Sequence, residues 1–215
     1  KLGKYLQSDI SDTMLYFTRI TSTKWLNDIW GDLLKTAKNG KSFFDNNLGI
    51  SFFEWLEKHP EDQVIFDEGM TSISSQSDIP VASAYNFSCF DTIIDIGGGR
   101  GGQIAAILET YPNVKGILFD QPLTIGFNLV NACFGKPELS GRIEFIEGNF
   151  FSEIPAKYDA YLMKSILHDW NDEKALEILK NCRKAMSKGS TLIIIENIVG
   201  DEMNESDLAK FLDIN

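Results

Sequence analysis

From Leu15 onward, apolar residues recur at spacings of three and four. Leu15, Phe17, Ile20, Trp25, Leu26, Ile29, Trp30, Leu33 and Leu34 make one broad apolar face, the pattern of an amphipathic helix. The spacing predicts a long helix over about residues 9–38, stopped at Gly40. A shorter helix carrying Phe52, Phe53, Trp55 and Leu56 follows and ends near His59-Pro60, and a third covers about residues 61–74. The stretch Ser74-Ser75-Gln76-Ser77-Asp78-Ile79-Pro80 is polar and closes on proline, which predicts a loop. Residues 1–80 therefore read as a helical region. Its aromatic residues Tyr16, Phe17, Trp25 and Trp30 read as core of that layer or as a pairing surface.

The texture changes near residue 90. Thr92-Ile93-Ile94-Asp95-Ile96 is a short β-branched run that ends at glycines, and residues 102–111 return to helical spacing. Further strands are expected at 114–120, 143–146, 158–163 and 191–195. Pro122 can open a helix, since its missing N–H is not needed there. Residues 172–186 predict a helix with Ala175, Leu176, Ile178, Leu179, Cys182 and Met186 inward, and Asp207 begins what reads as a helix cut off at Asn215. Strand alternating with helix predicts an α/β fold over residues 81–215, a Rossmann-like, doubly wound, mainly parallel sheet covered on both faces.

Composition narrows the partners. The 215 residues carry a formal net charge of -11, which disfavours a phosphate backbone as substrate. Cys89, Cys133 and Cys182 lie far apart and form no CxxC pair, so neither a disulfide framework nor a metal site is expected, and a reducing cytoplasm is. No apolar run approaches the ~20 residues that span a bilayer.

The chemistry gathers at the strand ends. Gly97-Gly98-Gly99-Arg100-Gly101-Gly102 stands between a predicted strand and a predicted helix, where glycine permits a tight turn and lets a ligand approach the backbone. Asp120 closes the second strand, where an acid can accept both hydroxyls of a ribose, and Gly148-Asn149-Phe150-Phe151 follows the third, within reach of an adenine. Gly97, Gly99 and Gly102 also satisfy GxGxxG with Asp120 near the spacing of a ribose-binding acid, so a nicotinamide-dependent oxidoreductase stays open at this point. Beyond the fourth strand, His168-Asp169-Trp170 puts an imidazole at the same edge, with Asn171 or Asp172 free to cap the next helix.

Residues 95–102, 119–122, 148–151, 164–170 and 196–199 occur in an order that resembles the S-adenosylmethionine-dependent small-molecule O-methyltransferases. Plant members methylate caffeate, flavonoids and related phenols, and bacterial members polyketide- and phenazine-type metabolites. Phe66-Asp67-Glu68-Gly69-Met70 and Gly40-Lys41-Ser42-Phe43-Phe44 fit the helical region of that family. The resemblance implies that Asp95, Gly97, Gly99, Asp120, Asn149, Phe150 and Lys164 hold S-adenosyl-L-methionine and its product S-adenosyl-L-homocysteine. It implies His168 as general base oriented by Glu196, Met70 and Asp169 facing the acceptor, and Trp170 beside the cofactor. Asn149 stands where aspartate is commoner in the family; its amide oxygen accepts without charge. The resemblance also implies a homodimer whose dimerisation domain precedes Lys1, and a pattern that continues past Asn215. A relative on this fold that does other chemistry is the remaining alternative.

Overall fold

The structure, a computed structural model, describes residues 2–10, 13–121, 136, 139 and 141–198. The chain divides into two units, the first reaching Ile73 and the second covering Ser74–Glu196. The helices expected after Pro122 and Asp207 lie outside the described residues.

The first unit is helical, but its long helix is broken into three. Helices α1 (Leu15–Thr21), α2 (Lys24–Gly31) and α3 (Leu33–Asn39) replace the expected 9–38 rod. The second break lies at Asp32, which ends α2 and precedes α3. The first lies in Thr21-Ser22-Thr23. Their hydroxyls bond back to the carbonyls of Thr18, Arg19 and Ile20 at 2.7–2.9 Å, and Thr23 caps the Leu26 amide. Hydroxyls that compete for backbone groups favour a cap over a helix interior. Gly40 does stop α3, in the left-handed conformation at φ 66°. Two short helices follow, α4 (Phe43–Asn47) and α5 (Phe52–Glu57), the second opened by a Ser51–Glu54 capping box. Trp25, Phe44, Phe52 and Trp55 pack ring against ring there. The pattern had not announced α4.

Helix α6 (Pro60–Ala84) corrects a second expectation, because residues 74–80 are helical and Pro80 sits inside the helix. Proline removes one helical donor, and the polar run alone favours a turn. Distant partners settle the matter. Lys164 and Gln103, both remote in sequence, bond to Ser74 and Asp78 and hold this segment helical.

In the second unit, β1 (Thr92–Ile96), β2 (Lys115–Asp120), β3 (Ile143–Glu147), β4 (Ala160–Lys164) and β5 (Thr191–Ile195) form one parallel sheet in the order β3-β2-β1-β4-β5. Alternate residues of each strand feed opposite faces. Ile93, Leu118 and Leu162 pack on one side with Ile104, Ile107 and Leu108 of α7 (Gly102–Thr110). Ile94, Ile117, Phe119, Tyr161 and Met163 pack on the other with Ile178, Cys182 and Ala185 of α8 (Asp172–Ala185). This is the doubly wound architecture with both faces covered. Leu176 of α8, expected inward, is instead 50% exposed, because the turn that buries Ile178 and Cys182 carries it outward.

The fit of α7 on the sheet gives a stability test. A Cβ on Gly116 of β2 would stand 2.7 Å from Ile104 Cγ1 and 3.0 Å from Leu108 Cδ1. Gly116→Ala is expected to cost about 1–3 kcal/mol by overpacking. Urea denaturation should show a lower midpoint at an unchanged slope.

Candidate functional site

The chain leaves β1 toward β2 and β3, then returns to β4 on the other side of β1. The crevice beyond the carboxyl ends of β1 and β4 is thus the topological switch point, where open parallel sheets take their ligands. The glycine loop fills the β1 side of it. Gly97 has φ 68°, and a Cβ there would lie 2.5 Å from Ile166 Cδ1. Gly98 is confined differently, since its Cβ would stand 2.6 Å from both Cγ and Oδ2 of Asp95. Gly99 is also left-handed, at φ 57°. The loop backbone is therefore bare by steric need, which is what close approach by a ligand requires.

Two acids flank the loop. Asp120 reaches across from β2, its Oδ2 accepting from the Gly99 amide at 2.8 Å and its Oδ1 from the Gln121 amide at 2.6 Å. Asp95 is 1% exposed, and neither of its carboxylate oxygens makes a hydrogen bond of ordinary geometry. Burial pushes its pKa up to about 7, against the pull of the Lys164 charge; Asp78 and Asp120 add to the rise.

Beyond β3, the exposed Asn149 turns its Oδ1 onto the Phe151 amide at 2.8 Å. Phe150 is half-buried, and its ring edge lies near Gly97. Asn181 of α8 fixes this turn by donating to the carbonyls of Phe150 and Phe151, a support that sequence spacing did not reveal. Trp170 meets both rings edge to face, with centroids 6.1 Å and 4.7 Å away.

On the β4 side, Lys164 donates to Asp78 Oδ1 at 2.5 Å and to the hydroxyl and carbonyl of Ser74 at 2.8 Å and 3.3 Å. Ser74 and Asp78 were not singled out from the sequence. Their spacing of four on one helical face was the available signal, hidden by reading residues 74–80 as a loop.

His168 follows β4 in a single 3-10 turn, Leu167–Asp169. Its Nδ1 lies 2.6 Å from Glu196 Oε2, while Glu196 Oε1 accepts from the amides of Ile166 and Leu167 at 3.1 Å and 2.9 Å. Glu196, just past β5, therefore orients both the ring and the turn that carries it. Asp169 Oδ1 stands 3.3 Å from His168 Nε2. These two carboxylates, Asp169 first, raise the imidazole pKa to about 9 against the opposing effect of burial. One ring nitrogen is anchored and the other faces an acid.

Met70 belongs to the first unit, where it is half-buried on α6. Among the described residues, no three His, Cys, Asp or Glu side chains gather as metal ligands, and no helix is long and apolar enough to cross a membrane.

The O-methyltransferase domain family matches this chain over residues 30–215. The phenazine O-methyltransferase PhzM of Lysobacter antibioticus is 40% identical over 189 residues, 86% of this chain and 54% of that protein. The mitomycin biosynthesis 6-O-methyltransferase of Streptomyces lavendulae is 32% identical over 213 residues, 99% of this chain and 60% of that protein. The solved structure of the mitomycin 7-O-methyltransferase MmcR superposes with a TM-score of 0.88 at 31% identity, covering 99% of this chain and 62% of that one. The chain spans about half the length of the curated relatives it matches. On sequence and fold together, this chain belongs to the O-methyltransferase domain family.

Proposed function

We propose that the protein transfers a methyl group from S-adenosylmethionine to a hydroxyl of a small aromatic metabolite, with His168 as general base. The observation that carries this reading is the His168–Glu196 pair at the same sheet edge as the bare glycine loop. The residues present fit the cofactor. A loop of glycines interrupted only by Arg100 suits the approach of its backbone-hugging end, Asp120 suits a ribose, and the buried Asp95, with no hydrogen bond of ordinary geometry, suits a cationic group. Asn149 and Phe150 would flank the adenine, and Lys164 would stand on the cofactor side. When bound, S-adenosylmethionine supplies an electrophilic methyl on a sulfonium.

The chain's own residues then have two tasks, alignment and proton removal. A phenol with a pKa of about 10 needs a base at neutral pH. His168 takes that proton at Nε2, while Nδ1 keeps its hydrogen bond to Glu196. Asp169 stands beside Nε2, so it must turn aside, toward the acceptor, when a hydroxyl enters. Met70 would line the acceptor pocket. An aromatic acceptor is supported by the relative NcsB1, 26% identical, whose crystal structure contains S-adenosyl-L-homocysteine and 1,4-dihydroxy-2-naphthoic acid. The same reading has the full-length protein working as a cytoplasmic homodimer.

Calorimetry separates this reading from the nicotinamide alternative. S-adenosylhomocysteine is expected to bind and NAD to give no heat of binding; the reverse would overturn the proposal. A panel of phenols assayed for methylated product separates it from a non-methylating relative, which would bind the cofactor and yield none.

A further inference from the structure

The ion pair between Lys164 and Asp78 is almost dry, each side chain being 10% exposed. It lies at the switch point. Leu162 pairs with Asp95, so Lys164, two residues on, stands level with Gly97 as β1 gives way to the loop. The three N–H donors of Lys164 meet three acceptors on one turn of α6, all from Ser74 and Asp78. Asp78 also reaches the start of α7: a Cβ on Gly102 would lie 2.5 Å from its Oδ2, and its carbonyl accepts from Gln103 Nε2 at 3.2 Å. One buried acid thus braces β4 and α7, two elements that bound the crevice.

The polar balance beside it is one-sided. The Oε1 of Gln103 is a buried acceptor without a donor, and Asp95, which feels the Ile104 amide, has no hydrogen bond of ordinary geometry at either oxygen. Buried acceptors in this state are costly until a donor arrives. Lys164 is the nearby cation whose charge Asp95 feels most, yet its donors are spent on α6.

We propose that Asp78 is a positioning residue that holds Lys164 off Asp95, leaving Asp95 to receive the ammonium at the amino-acid end of the cofactor. The inference rests on the cofactor reading above. With Asp78 in place, the cluster of two acids and one lysine has room for one more positive charge. Without it, Lys164 loses its main partner and turns to Asp95, filling the place of the ligand's ammonium.

Two ligands and two variants test this. S-adenosylhomocysteine carries the amino-acid end, and 5′-methylthioadenosine lacks it. In calorimetry on the full-length protein, Asp78→Asn is expected to lower S-adenosylhomocysteine affinity about tenfold or more and to leave 5′-methylthioadenosine within about twofold. The conservative variant Asp78→Glu keeps a carboxylate for Lys164, so it tests the same contact without leaving the lysine's buried charge unpaired. It should bind S-adenosylhomocysteine within about threefold of wild type. Unchanged S-adenosylhomocysteine affinity in folded Asp78→Asn, equal losses for both ligands, or an Asp78→Glu protein as weak as Asp78→Asn would each overturn the proposal. Wild-type protein that binds neither ligand would instead overturn the cofactor reading itself.

Discussion

Replacing His168 by alanine is expected to lower turnover by about 10²–10⁴-fold while S-adenosylhomocysteine still binds as in wild type. The split follows from where the residue sits. The glycine loop, Asp95 and Asp120 are set by β1, β2 and α7, and none of them bonds to the imidazole. The turn that carries His168 is held by Glu196 through the Ile166 and Leu167 amides, contacts that survive loss of the ring. The alanine variant therefore keeps its scaffold and loses only the base. Single-turnover assays with a responsive phenol, run beside calorimetry, read the two properties separately. Equal turnover in both proteins would remove His168 from the mechanism.

The second large effect is on pH. With a pKa of about 9, most of His168 is imidazolium at pH 7, and only the neutral ring can accept a proton. The rate should climb about tenfold per pH unit toward that value and then level off. The sign for a variant follows from the cause. Asp169 and Glu196 stabilise the charged ring, so removing an acid lowers the pKa and brings the neutral form in at lower pH. Asp169→Asn, which takes away the first-ranked contribution, should therefore move the acidic limb of kcat/KM to lower pH. It should also raise the fraction of competent base at neutrality, unless Asp169 is needed to seat the acceptor, in which case KM rises while the limb still shifts. A limb that stays put would show that His168 is not the titrating group. The same linkage touches stability. A histidine raised above its ordinary 6.5 contributes most below that pH, and the contribution fades as pH climbs through about 9.

Much of the second unit was legible in the chain. The five expected strands formed with ends within two residues of expectation, because the central parallel strands, covered on both faces, leave a near-continuous apolar signature. The loop, Asp120 and His168 were legible because strand-to-helix junctions place them at one sheet edge by topology alone. What the pattern hid depended on distant partners. Residues 74–80 look like a loop locally, and become helix through bonds to Lys164 and Gln103. The long N-terminal helix failed for a local reason at its first break: between α1 and α2, three successive hydroxyl residues outcompeted an apolar periodicity that continues across them. The approach of Asp169 to His168 Nε2 is a matter of side-chain direction within one turn, which residue spacing does not encode.

Asp95 has a consequence for proton traffic. Its pKa of about 7 lies far above the ordinary carboxylate value of 3.8, so near neutrality the folded chain retains a proton that the unfolded chain has released. Its favourable share in stability is complete only in acid and is lost as pH rises through about 7. A cation entering the cradle favours the ionised acid and expels that proton. Filling the site then acidifies its surroundings slightly, and part of the heat of binding belongs to whatever buffer takes the proton up.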